Sequence, residues 1–203
     1  MQKVLEELLS ITVLITVIGL VVARLPKVEV GHTPAFRRRR LRNWLPVGLL
    51  YALLYMGRYN LTVSKSVFGD AMTVEDFATI FGIGTAVYGC AFIVNGPLTD
   101  RIGGKKALLL GAVGTIIANI AMGFVTATGT TSGLVVTFSV LYAINMYFQS
   151  FGAVAIVKIN APWFHVRERG TFGAIFGILI ALGLYLAYDV GRLIVAAITL
   201  QWV

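Results

Sequence analysis

Cysteine is almost missing from this chain. Cys90 is the only one in 203 residues, so no disulfide can form within the chain and a secreted disulfide scaffold is excluded. It falls in an apolar run, where a small buried side chain is the expected role. Charge is scarce as well: Asp, Glu, Lys and Arg make up 13% of the residues, about half the share usual in soluble domains. Acidic charge is scarcest, with 9 Asp and Glu against 17 Lys and Arg and a formal net charge of +8. On a soluble protein that balance would suggest nucleic acid, but here the placement of the charges matters more than their sum.

Apolar residues fill the gap, at 58% of the chain with a mean hydropathy of +0.85. That excludes a disordered chain and points to a membrane protein. A bilayer core about 30 Å thick needs about 20 apolar residues of helix. Six stretches reach that length: residues 8–25, 43–64, 77–98, 107–126, 134–157 and 171–196. Irregular backbone cannot face lipid, so each is expected to be a helix. The first has Glu6 and Glu7 where a signal peptide carries positive charge, and no clear cleavage site follows. It reads as an extra amino-terminal span, with an amphipathic surface helix as the alternative.

The basic residues set the orientation. Arg24, Lys27, Arg37 to Arg40 and Arg42 precede the second span, Arg101, Lys105 and Lys106 follow the third, and Lys158, Arg167 and Arg169 flank the turn after the fifth. All three groups fall on one side, which the positive-inside rule makes cytoplasmic. The Arg37–Arg40 run is then explained as an anchor on anionic lipid, with no nucleic acid required. Residues 26–42 form the only connector long enough to be mobile. Gly173, Gly177 and Ala181, and likewise Ala78 and Gly82, have the spacing that allows close helix approach. His32 and His165 fall outside the spans, as solvated loop residues.

Arg58 is out of place. Only fifteen residues separate it from Arg42, about 22 Å of helix, so the span must run on towards Lys65 and carry the guanidinium into the membrane. Such a charge is costly unless it faces water or a partner. Tyr51, Tyr55, Thr62 and Lys65 share its helical face, a polar stripe on a leucine-rich helix. An arginine beside tyrosine hydroxyls suits a phosphate or carboxylate, to which its fork can make two parallel hydrogen bonds. The alternative is pairing with an acid or with carbonyls elsewhere in the bundle; the reading places no acid mid-span. Tyr88, Phe92 and Asn95 form a milder stripe in the third span, and Tyr142, Asn145 and Gln149 another in the fifth. These fit either a pathway lining or interhelical hydrogen bonds. No His, Cys, Asp and Glu cluster has metal-ligand spacing, no nucleophile stands beside a base, and Gly82-Ile83-Gly84 follows no strand. Neither catalysis, a metal nor a cofactor is expected.

The turn after the third span reads Gly96-Pro97-Leu98-Thr99-Asp100-Arg101-Ile102-Gly103-Gly104-Lys105-Lys106-Ala107-Leu108. It resembles the signature G-x-L-x-D-R-x-G-R-R/K-x-x-L of the major facilitator superfamily. Trp163-Phe164 followed by Arg167-Glu168-Arg169-Gly170 is similar to that family's W-F/W-x-x-x-E-R-G turn. Tyr55-Met56-Gly57-Arg58-Tyr59-Asn60-Leu61, with Phe148-Gln149 and Gly152, resembles the organophosphate:phosphate antiporter branch.

The resemblance implies an all-α, polytopic, partial major-facilitator-type bundle. Residues 43–203 would supply five core helices, truncated at the start of the sixth (Leu200-Gln201-Trp202-Val203), and residues 1–42 the extra span with its basic connector. It implies a secondary transporter of a small organic anion working by alternating access in a bacterial inner membrane, with a missing carboxy-terminal half as partner. Substrate contacts would come from Arg58, Tyr55, Tyr51, Thr62, Lys65, Tyr88, Asn145 and Gln149. A cytoplasmic gate would come from Gly96, Asp100, Arg101, Gly103, Lys105, Lys106, Glu168 and Arg169. A cation-coupled carboxylate symporter and a non-transporting sensor or scaffold of the same fold are the alternatives.

Overall fold

The computed structural model describes residues 30–129 and 132–200, with scattered positions between 12 and 24. The amino-terminal span expected over 8–25 falls for the most part outside the described residues, as do residues 201–203. Six helices follow in order: α1 (Pro34–Phe68), α2 (Val74–Ile102), α3 (Gly104–Ala127), α4 (Leu134–Asn160), α5 (Arg169–Tyr185) and α6 (Gly191–Leu200). Among the described residues there is no strand. A π-helical segment, Leu186–Val190, joins α5 to α6, so the last expected span is continuous but not uniformly α-helical. Asp189 lies on this segment, inside a stretch that the sequence reading takes as free of mid-span acids.

Four stretches are long and apolar enough to cross a membrane: Val74–Ile102, Gly104–Ala127, Leu134–Trp163 and Val166–Ala196. α1 is not among them, although it is 35 residues long. Arg58, Asn60 and the tyrosines of its polar stripe dilute its hydropathy. It also begins earlier than expected. Thr33 caps it, its hydroxyl accepting from the Phe36 amide at 3.2 Å, and Pro34 takes the first turn, where its missing N–H costs nothing. Arginine is a good helix former, so the supposed mobile connector is helical from residue 34 onwards.

α2 starts in a capping box. The Thr73 hydroxyl accepts from the Asp76 amide at 3.2 Å, and the Asp76 carboxylate accepts from the Thr73 amide at 2.8 Å. The family turn after α2 is almost entirely helical. α2 continues to Ile102 and α3 starts at Gly104, so Gly103 alone, at φ 86°, reverses the chain.

α4 is the hub, packed against α3 and α2, while α1 lies across α4 and against α5. The close approach of α3 to α4 depends on small residues. A methyl at Gly111 would meet the Phe148 carbonyl at 2.8 Å, and one at Gly104 would meet Ile159 Cγ1 at 2.8 Å. The expected small-residue pairs do not serve this purpose, since nothing lies within 4 Å of a methyl placed at Gly82, Gly173 or Gly177. Cys90 is exposed, not buried. Large apolar side chains cover the outside, with Ile93 77% and Phe124 70% exposed, as lipid-facing helices require.

Two apolar clusters fill the interior. One joins Tyr51 and Leu54 of α1 to Ala107, Ala112, Phe151 and Leu179; the other joins Leu61 to Phe77, Met122, Phe138 and Met146. Along α1, α3 and α4 the residues between these clusters are Arg58, Thr115 and Asn119, and Gln149. A polar layer therefore lies between two apolar ones.

Candidate functional site

Arg58 leads that layer from α1. Its Nε donates to Gln149 Oε1 of α4 at 2.9 Å, which fixes one edge of the guanidinium. Tyr55, one turn back on α1, and Tyr88 of α2 face the guanidinium, with Cζ 4.7 and 4.4 Å from their ring centroids. A desolvated cation–π contact is worth about 2 kcal/mol, and an arginine in mid-membrane costs about 3 kcal/mol on insertion scales. The two rings can therefore hold this charge without a carboxylate. Among the described residues the ion pairs are His32 and Arg40 with Glu168, and Lys158 with Asp100; none involves Arg58.

Amides extend the layer. Gln149 Nε2 donates to Asn145 Oδ1 at 3.2 Å, and Asn119 Nδ2 donates to the same oxygen at 3.3 Å. Asn60 Nδ2 donates to Asn119 Oδ1 at 2.7 Å. Asn145 Nδ2 reaches the Gly57 carbonyl and the Tyr142 hydroxyl the Arg58 carbonyl, each at 3.2 Å. Gly57 matters here, because a methyl at that position would meet Thr115 Cγ2 at 3.2 Å and hold α1 off α3. The acceptors in this network are neutral amide oxygens, so the arginine's charge is oriented but not neutralised.

Of the expected substrate residues, the structure brings together Arg58, Tyr55, Tyr88, Asn145 and Gln149. Tyr51 is buried beside them, its side chain hydrogen-bonded to Tyr55 and within electrostatic reach of Arg58, with its ring edge-on to Tyr55 at 5.1 Å and to Phe176 at 6.5 Å. Thr62 and Lys65 belong elsewhere: they line a separate hollow with Val63, Tyr188 and Arg192. Asn95 is taken up by packing, its Nδ2 donating to Ser150 Oγ at 2.6 Å. Asn60, quoted above only within the Arg58 motif, joins the network, and so does Asn119, which no motif or stripe singles out. A single amide in an apolar helix has no periodic companion to flag it.

The expected gate residues divide into two groups. Asp100, in the last turn of α2, pairs with Lys158 near the end of α4, whose Nζ also donates to the Asp100 carbonyl at 3.1 Å. Arg101, Lys105 and Lys106 are exposed and form no ion pair among the described residues. Gly96 and Gly103 contribute backbone, Gly103 as the reversal itself. Glu168 lies apart from Asp100 and is buried. It accepts from Arg40 Nη1 at 2.8 Å, from His32 Nε2 at 3.2 Å and from the His165 amide at 3.0 Å. Arg40 also stacks over Phe164 at 4.8 Å, and His32 stacks on Phe36 at 4.4 Å. His32 is therefore not a solvated loop residue, and His165 caps the following turn by accepting from the Arg167 amide at 3.2 Å. Arg169 is exposed.

Residues 47–203 match the Major Facilitator Superfamily. The chain belongs to that family. Among curated relatives, the "Membrane sensor protein UhpC" of Salmonella typhimurium is 26% identical over 174 residues, covering 80% of this chain and 36% of its own. The "Phosphoglycerate transporter protein" of the same organism is 30% identical, covering 80% of this chain and 32% of its own. The "Glycerol-3-phosphate transporter" of Bacillus subtilis is 25% identical, covering 73% and 33%. The chain thus spans about a third of the length of the relatives it matches. No solved structure matches. The four apolar helices and the superfamily match together make this an integral membrane protein.

Proposed function

We propose that this chain supplies the anion-binding side of a secondary transporter in a bacterial inner membrane. A small organic anion, with a phosphate ester as the first choice, would bind at Arg58 and cross by alternating access against a second set of helices. The observation that carries this reading is the Arg58 guanidinium, packed between two tyrosine rings with its Nε held by Gln149 and no carboxylate paired to it among the described residues. Arginine's planar fork suits a phosphate or carboxylate oxygen pair, and a low-dielectric layer strengthens that bond. The glycerol-3-phosphate and phosphoglycerate transporters among the relatives support the phosphate ester.

The test is exchange of radiolabelled phosphate against glycerol 3-phosphate or phosphoglycerate in proteoliposomes containing the full-length protein. Arg58→Lys keeps the charge but loses the fork. It is expected to insert normally and lose most of the exchange; undiminished exchange would count decisively against Arg58 as the anion clamp.

The two membrane sensor relatives favour a second reading, in which the same site detects an anion without carrying it. Anion binding that depends on Arg58, without any flux by the wild-type protein, would select it.

A further inference from the structure

Beyond the Arg58 layer, α1 continues to a second cationic feature. Thr62, Val63 and Lys65 of α1, with Tyr188 of the π segment and Arg192 of α6, line an open hollow of about 490 Å³. Its two cations come from different helices, and no carboxylate is among its lining residues. Neither Lys65 nor Arg192 forms an ion pair among the described residues, including with neighbouring Asp189. Lys65 Nζ lies 5.8 Å from the ring of Phe77, a contact that leaves its charge in place.

Lys65 is seven residues beyond Arg58, about 10 Å along the helix, towards the end of α1 that carries few basic residues and is therefore the outer one. The hollow and the Arg58 layer are joined by tyrosines. The Tyr188 ring lies 6.0 Å from Tyr59, Tyr59 lies 6.3 Å from Tyr55, and Tyr55 faces the Arg58 guanidinium at 4.7 Å.

We infer that the Thr62–Lys65–Tyr188–Arg192 hollow is an outer anion-binding site, which captures a hydrated phosphate or carboxylate group before it reaches Arg58. The inference rests on the proposed anion-binding role of Arg58 for its direction, though not for the hollow's own affinity. Two convergent cations with no ion pair among the described residues raise the local anion concentration, and at an open site that attraction is screened by salt.

The probe is radiolabelled inorganic phosphate, bound to the purified full-length protein at low and at high ionic strength. Wild type is expected to show a salt-sensitive component beside a salt-resistant one. Lys65→Gln with Arg192→Gln should remove the salt-sensitive component and raise the half-saturation concentration about tenfold, as expected when two steering charges are lost. The charge-keeping pair Lys65→Arg with Arg192→Lys should restore it, which separates lost charge from lost fold. Arg58→Lys should remove only the salt-resistant component. If Arg58→Lys changes nothing while the double glutamine variant loses binding, the outer site stands and the role proposed for Arg58 fails. Binding unchanged in the double glutamine variant, or no salt-sensitive binding by wild type, overturns the outer site.

Discussion

At Arg58 the neighbours decide what the charge can do. Gln149 offers an uncharged oxygen, so it aims the guanidinium without cancelling it. Gln149→Glu, nearly the same in shape, would give Arg58 a permanent carboxylate partner. An incoming anion would then have to displace an internal one, and removing one partner from a buried pair costs about 3–5 kcal/mol. Gln149→Glu is therefore expected to abolish anion exchange while its thermal midpoint in detergent stays at or above wild type; exchange within twofold of wild type would refute this arrangement. Gln149→Leu should behave differently. It leaves Nε unmet, and since a charged hydrogen bond is worth about 1.5–3 kcal/mol, half-saturation should rise at least tenfold. Much of this site is legible in the sequence, because Arg58 interrupts an apolar run and Asn145 and Gln149 repeat at helical spacing. What is not legible is depth along the helix. Tyr51, Thr62 and Lys65 share the face of Arg58 by periodicity, but only the tyrosine stays beside the guanidinium, and the other two open onto a separate hollow.

At the level of elements, the start of α1 is held by more than its own hydrogen bonds. Glu168 collects Arg40, His32 and the His165 amide, so the turn between α4 and α5 grips the first turns of α1. Four arginines in a row read as one lipid anchor, yet only Arg40 is drawn inwards, with Arg37, Arg38 and Arg39 exposed. A helix turns about 100° per residue, so neighbours in such a run face different surroundings, and composition cannot say which one pairs. The consequence is an asymmetry. Arg40→Ala leaves a buried carboxylate short of its strongest partner, a loss of about 2 kcal/mol, which lowers the thermal midpoint by about 4–8 °C in a chain of this size. Arg39→Ala should change it by no more than about 2 °C, since exposed substitutions stay within about 0.5 kcal/mol. Equal shifts in a differential scanning measurement would mean that the Glu168 cluster does not hold the two elements together. Small-residue spacing says less about contacts. Glycines at Gly104 and Gly111 make the tight contacts, while Gly173 and Gly177, equally well spaced, face open space. Spacing identifies a face, and only packing shows what lies against it.

Across the whole molecule, the Asp100–Lys158 pair ties the ends of α2 and α4, the hub helix, on the side where the basic residues gather. The superfamily motif marks Asp100 in the sequence, but its partner lies 58 residues away and carries no motif of its own. The basic residues closer in sequence form no pair with it: Arg101 is its neighbour on α2, where successive side chains turn about 100° apart, and Lys105 and Lys106 follow the sharp turn at Gly103. The pair is exposed, 74% for the aspartate side chain, and exposed pairs contribute about 0.2–1 kcal/mol, too little to matter to folding. That same amount acts differently on an equilibrium between two conformations of comparable stability. A bias of about 1 kcal/mol shifts such a ratio about fivefold, so a weak contact made in one conformation and lost in another can govern a rate. Asp100→Asn is therefore expected to lower the maximal exchange rate several-fold, with half-saturation and thermal midpoint nearly unchanged. High salt, which screens exposed charges, should bring wild type towards the variant's rate and leave the variant itself unmoved. An unchanged rate in Asp100→Asn would remove the pair from the proposed transport cycle. A rise in half-saturation without a fall in rate would place its influence at the Arg58 layer instead.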